Sequence, residues 1–293
     1  MGFCMSDIFV AEQDKLHCYL DKVERLPPAP SLMVKLIGLA RQPDRDPGDL
    51  VQLMKHDPAV TAEVLHRCNS PVYGEEEPVT DLQEALFRLG FIEVYRIAVG
   101  LFGRQTIATV RAAQAMQVEA LWRHSTITAI IGGTLAREMG EPEGISFTAG
   151  LLHDVGKVVL AMAENTRYAD LQREYGMSGV PMYEAEKAAF GFSHSEVGAL
   201  LLHRWGVPED VSKPVLGHHD AFWTGPYDRT TAIVYLANLI AHHSEPAEPD
   251  RLCEMPDATH SLELLGLRAG DLPRLQQIAL MDVLRLGSLL TTG

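Results

Sequence analysis

An all-α fold is predicted for this chain by three observations. Apolar residues recur at helical spacing through almost every segment. No convincing run of alternating apolar and polar residues argues for a strand. Helix start and stop signals punctuate the chain at short intervals.

The first twenty residues read as a lead helix or arm. They open Met1-Gly2-Phe3-Cys4-Met5-Ser6, a loose and short match to a myristoylation pattern. Residues 21–115 read as a half built from short helices and tight turns. The stiff Leu26-Pro27-Pro28-Ala29-Pro30 entry leads into an apolar stripe of Leu32, Met33, Leu36, Ile37, Leu39 and Ala40. Asp57-Pro58 reads as an N-cap with proline in the first helical position. That helix turns Val60, Val64, Leu65 and Cys68 inward and breaks at Asn69-Ser70-Pro71. Thr80 with Gln83 reads as a capping box for Leu82, Leu86 and Leu89, and Gly90 ends the helix.

Residues 116–245 carry longer helices. Leu121 to Met139 is one, with Gly140 just past its end. Ser146 is expected to cap a single helix running through Leu151, Leu152, Val155, Val158, Val159 and Leu160. Ser193 and Glu196 form a capping box for Val197, Leu200, Leu201 and Trp205. Residues 246–293 read as a linker and a C-terminal helix. The proline-rich, acidic Glu245 to Pro256 stretch is the loop, and Leu272 to Leu290 is the amphipathic helix.

Composition narrows the function. The length of 293 residues suits about two units, and 46% hydrophobic with 22% charged residues is an ordinary globular balance. A net charge of −14 argues against a broad phosphate-binding face, so nucleic acid is not an expected partner. Four scattered cysteines read as reduced and cytosolic. The apolar stretch from Thr231 to Ala241 is too short for a membrane span, and the N-terminus has no signal-peptide pattern, so neither a membrane nor export is expected.

The chemistry lies in the histidines. His124, His153 with Asp154, His194, and His218 with His219 supply nitrogen and carboxylate ligands suited to Fe, Mn, Zn or Ni. An aspartate at the His153-Asp154 pair would be placed to bridge two ions, and Lys157, one turn on, to steady a phosphate. Charged residues there interrupt an otherwise apolar stripe, which calls for a metal or a hydrogen-bond network in compensation. His17, His56, His66, His203, His242, His243 and His260 are read instead as ordinary surface or hydrogen-bonded residues.

The run Gly150-Leu151-Leu152-His153-Asp154-Val155-Gly156-Lys157 resembles the signature of the HD superfamily of helical, metal-dependent phosphohydrolases and phosphodiesterases. The whole order of motifs resembles more specifically the HDOD domain, the HD-related output domain of bacterial signalling proteins. Its matching pieces are Leu26 to Pro30, His56 to Thr61, Asn69 to Gly74, Val79 to Leu86, Phe190 to His194, Trp205 to Pro208 and His218-His219.

That resemblance implies a helical bundle of an HD-like half preceded by a smaller half. It also implies a regulatory role in signal transduction, non-catalytic and exerted through contacts with another signalling protein, with a bound divalent metal retained. The alternative is a phosphodiesterase or phosphohydrolase acting on a nucleotide or cyclic dinucleotide. On the match, His124, His153, Asp154, His194, His218, His219 and, through its amide oxygen, Asn238 are metal ligands, and Lys157 serves catalysis only if the chain is an enzyme. Two departures weigh against hydrolysis. Asn238 stands where the HD pattern has its final aspartate, and Asp220 to Tyr227 lacks the Gly-Tyr-Pro order of the cyclic-dinucleotide phosphodiesterases.

Overall fold

Capping side chains and glycines set the helix boundaries in the computed structural model. It describes residues 31–42, 44–55, 57–70, 78–108, 118–244 and 258–286, together with Leu16, Tyr19 and Leu20. The myristoylation-like start, the Leu26–Pro30 entry, Pro71 to Gly74, the Glu245–Pro256 stretch, His17 and His56 lie outside the described residues. Among the described residues the regular structure is helical throughout, as predicted.

The first half comprises α1 (Ser31–Ala40), α2 (Pro47–Met54), α3 (Pro58–Cys68), α4 (Leu82–Leu89) and α5 (Phe91–Ala108). Asp57 caps α3, its carboxylate accepting from Val60 N–H at 3.1 Å, with Pro58 in the first turn as expected. The break after Cys68 has a specific purpose. The Asn69 amide accepts from Val79 N–H at 2.7 Å and donates to Val79 carbonyl at 2.9 Å, so one side chain ties the end of α3 to the residues before α4. The expected Thr80 cap is corrected by one residue: Asp81 is the N-cap of α4 and accepts from Gln83 and Glu84 N–H. A carboxylate outcompetes a hydroxyl at a helix start because it also complements the dipole. Gly90 ends α4 with φ of 79°, as its position suggested.

The second half comprises α6 (Val118–Met139), α7 (Glu143–Leu152), α8 (Val155–Ala163), α9 (Asn165–Ser178), α10 (Met182–Phe190), α11 (His194–Arg204), α12 (Glu209–Gly217) and α13 (Asp228–Ser244). Two expectations fail here. Ser146 is not a cap: it lies buried within α7, which starts three residues earlier after Pro142. The apolar run through Leu160 is not one helix either. It breaks at His153 and Asp154 into α7 and α8, with Asp154 at φ −97° and ψ 8°. This break decides how the site is built. The stretch Glu143–Ala163 passes a membrane-span test by length and composition among the described residues, yet 89% of it is buried inside the protein.

One apolar core joins the halves. Met33, Ile37 and Met54 of the first half share a cluster with Phe147, Leu160, Val197 and Val215 of the second. A second cluster seals α14 (Thr259–Leu264) and α15 (Leu272–Leu286) onto α6 and α13, through Ile131, Leu135, Leu236, Ile240, Leu262 and Leu275. Burying each such side chain contributes roughly 1.5–3 kcal/mol. Asp282 of α15 accepts from Thr134 and Arg137 of α6, both at 2.8 Å.

Glycines let the site-bearing helices touch. A Cβ on Gly150 would lie 3.0 Å from the Thr128 carbonyl of α6. One on Gly156 would overlap the His194 carbonyl and lie 2.7 Å from Gly198 N. The glycine at the second position of α8 is therefore what allows α8 and α11 to pack backbone to backbone.

Candidate metal centre

Because the chain turns at His153 and Asp154, the two side chains leave the bundle from a corner rather than from one helix face. Both are buried, at 0% and 2% exposure. His194 is the first residue of α11, and His218 and His219 follow the last turn of α12. Helix ends thus deliver five of the side chains, while His124 comes from within α6 and Asn238 from α13.

Asp154, His194, His218 and His219 each offer a ligand atom within 4.8 Å of the others. His124, His153 and Asp154 make a second such group, with Asp154 common to both. Oδ1 of Asp154 lies 3.1 Å from Nε2 of His194 and 3.9 Å from Nε2 of His218. Nε2 of His194 is 3.3 Å from Nε2 of His218 and 3.0 Å from Nε2 of His219.

The outer hydrogen bonds set the tautomers. Nδ1 of His153 donates to the Gly150 carbonyl at 2.7 Å, and Nδ1 of His218 to the Val215 carbonyl at 2.6 Å. Nδ1 of His194 donates to Glu186 at 2.6 Å. With Nδ1 so engaged, each Nε2 presents its lone pair inward, the arrangement of metal-ligating histidines. Nε2 of His153 and Oδ1 of Asp154 are buried and accept no hydrogen bond. Buried lone pairs aimed at one another repel unless a cation lies between them. The donor set of imidazole nitrogens and a carboxylate fits a divalent transition metal. This buried cluster could hold a metal ion.

Electrostatics prepare the ligands. Burial, and then the neighbouring imidazoles, push His218 and His219 well below the ordinary histidine value. His124 is lowered in the same way, by burial and then by His242 and His153. They are therefore neutral, the form in which imidazole ligates. Burial alone would raise the Asp154 carboxyl, but His153 and Lys157 outweigh it and hold the group well below its usual value. Lys157 donates to Oδ2 of Asp154 at 2.7 Å. His194 is the exception. Burial lowers it, yet Glu186 more than compensates and the net value is raised.

Asn238 lies beside the cluster, its amide oxygen 2.9 Å from Nε2 of His124. The structure also brings in residues that the sequence reading passed over. Glu186 is completely buried; besides the His194 ring it accepts the His194 backbone N–H at 2.7 Å and the Tyr168 hydroxyl at 2.9 Å. Its spacing was the available signal, since it shares a face of α10 with Met182 and Phe190, four residues to either side. His242, read as an ordinary histidine, packs against His124 at a tilt of 33°, with ring centroids 4.3 Å apart. Tyr183 stacks on His219 at 4.6 Å. Neither His242 nor Tyr183 carries a sequence signal, because their partners are far away along the chain.

A family model for the HDOD domain matches residues 26–221. The chain belongs to the HDOD family. That span includes all five histidines of the centre and Asp154, and stops short of Asn238. Solved structures agree in fold. An HDOD domain protein of unknown function from Geobacter sulfurreducens superposes with a TM-score of 0.69 at 23% identity, covering 94% of this chain and 98% of that one. A candidate signal transduction protein from Marinobacter aquaeolei VT8 gives 0.77 at 21% identity, covering 97% of this chain and 66% of that one. A candidate phosphohydrolase from Shewanella amazonensis SB2B gives 0.69 at 22%, covering 93% and 98%.

Among sequence relatives, an uncharacterized protein of Treponema pallidum is 27% identical over 208 residues, 68% of this HDOD chain but 39% of that protein. Ribonuclease Y of Acholeplasma laidlawii is 27% identical over 137 residues, 47% of this chain and 20% of the ribonuclease. The HDOD chain therefore spans well under half the length of these curated relatives.

Proposed function

We propose that this HDOD chain is a non-catalytic regulatory module of cytoplasmic bacterial signalling. On this reading it is an output unit of the response-regulator type, acting through contacts with a protein partner while a bound metal braces its core. One observation carries the reading: the ligand set is buried except at His219, which is partly exposed. His153, His194 and His218 are 0% exposed and Asp154 is 2% exposed, which suits a closed structural site better than a catalytic one with an open position. The neutral Asn238 at His124 supports it, because an amide contributes no charge to a second ion. Phe87, 94% exposed on α4, is a side chain available to a partner.

His194, His218, His219 and Asp154 would hold one ion of Fe, Mn, Zn or Ni, with His124 and His153 beside a second, weaker position. The second reading is a phosphohydrolase or cyclic-dinucleotide phosphodiesterase. The observation favouring it is Asp154, shared between two ligand groups as a bridging carboxylate would be. A divalent pair, when bound, would supply Lewis-acid polarisation of a phosphoester. Lys157 would orient a phosphate oxygen once released from Asp154.

Elemental analysis of purified protein, with a His153→Ala/Asp154→Ala double variant as control, tests both readings. Metal that depends on the cluster, together with no turnover of cyclic dinucleotides or nucleotides after reconstitution with Fe or Mn, is the expected result. Turnover that disappears in the double variant would overturn the non-catalytic reading.

A further inference from the structure

We propose that a cleft on the seam between the two halves is an oxyanion site, taking a phosphate or carboxylate group and separate from the metal centre. Helix α5 places Arg96, Gly100 and Arg104 at i, i+4 and i+8, and so along one face. Arg67 of α3, Trp122 of α6 and Phe147 of α7 line the same cleft. Gly100 keeps the middle open, since a Cβ there would meet nothing within 4 Å. This cleft gathers three guanidinium groups, with Glu63 in its lining and Glu93 and Glu143 on the far side of Arg96.

The state of those guanidiniums points to a ligand. Arg67 is satisfied by Glu63 at 2.7 Å. Arg96 is 4% exposed; its terminal nitrogens reach Glu143 at 2.5 Å and Glu93 at 3.5 Å, but its Nε–H is buried with no acceptor. A buried donor on a charged group left without an acceptor is costly, and an anionic oxygen is the strongest acceptor for it. Arg104, half-buried at the other end of the stripe, forms no ion pair among the described residues. Arginine forks match the paired oxygens of phosphate and carboxylate. The enclosed space is about 20 Å³, so the anion sits at the mouth of the cleft, with the rest of the ligand outside. A ligand there would tie α3 and α5 of the first half to α6 and α7 of the second.

Calorimetric titration with inorganic phosphate, at ionic strength held constant with chloride, tests the site on the full chain. Saturable binding is expected, weakened at least tenfold in Arg104→Gln and in Gly100→Leu, which fills the cleft without changing charge. Arg173→Gln, an exposed control on α9 that is paired with Asp170, should bind as wild type. So should the His153→Ala/Asp154→Ala variant, which separates this site from phosphate held at the metal centre. Thermal unfolding of each variant verifies its fold; if Gly100→Leu does not fold, Arg104→Gln decides. Succinate as a parallel probe distinguishes a carboxylate ligand from a phosphate one, and saturable binding of either at this cleft upholds the proposal. No saturable binding of either anion, wild-type affinity in Arg104→Gln, or loss in the metal-site variant would overturn it.

Discussion

The amide oxygen of Asn238 lies 2.9 Å from Nε2 of His124, and both side chains are buried. Position 238, which the HD-type resemblance would give to a metal-binding aspartate, here meets a histidine through a neutral contact. A carboxylate in the same place would bring a full negative charge to the His124, His153 and Asp154 group.

Asn238→Asp is therefore expected to tighten binding of a second divalent ion, on the order of tenfold, the low end of effects from groups next to metal ligands. Titration with Mn, read by calorimetry, checks it. Unchanged stoichiometry and affinity would mean that Asn238 has no influence on the centre.

Glu186→Gln should lower metal retention by about 10- to 100-fold while leaving the helical content intact. The amide can still accept from Tyr168, but it removes the charge behind His194. Tyr168→Phe should have a smaller effect in the same direction, since it deletes one donor to Glu186 and no ligand. Metal content after dialysis against a weak chelator distinguishes the two.

Gly156→Ala is expected to cost about 3 kcal/mol, the upper range for overpacking, because the added methyl meets backbone that cannot rotate away. Gly198→Ala should cost less, as its nearest contacts lie at 3.2 to 3.5 Å and two of the three are side-chain atoms. Urea unfolding of both variants gives the order; equal losses would refute backbone contact at Gly156 as the cause.

Acid should loosen the C-terminal helix. Burial alone would raise Asp282, but donation from Arg137 and Thr134 holds its carboxyl below the usual value. A lowered folded-state pKa stabilises at pH above the unfolded value of about 3.9, and the contribution is lost as pH falls through the folded value. Arg137 is 43% exposed, so the contribution is about 1 kcal/mol or less. The stability difference between wild type and Asp282→Asn should be present at pH 7 and vanish in strong acid. A difference that persists unchanged below pH 3 would contradict this account.

The sequence by itself determined the helical class, several helix ends and the set of candidate ligands. Those features are local: Asp57-Pro58, Ser193 with Glu196, Gly90 and Gly140 act within a turn of themselves, and His153-Asp154 stands out because charge interrupts an apolar run. Tertiary structure decided the rest. The corner between α7 and α8 replaces a single predicted helix, because what aims His153 and Asp154 together is packing against α6 and α11 through Gly150 and Gly156. Glu186 and His242 became part of the centre only when distant helices met, and periodicity says which face a residue occupies, not what lies opposite. The same holds for the arginine cleft. Arg67, Arg96 and Arg104 are ordinary surface-type residues in the sequence, and only the seam between the halves turns them toward one space.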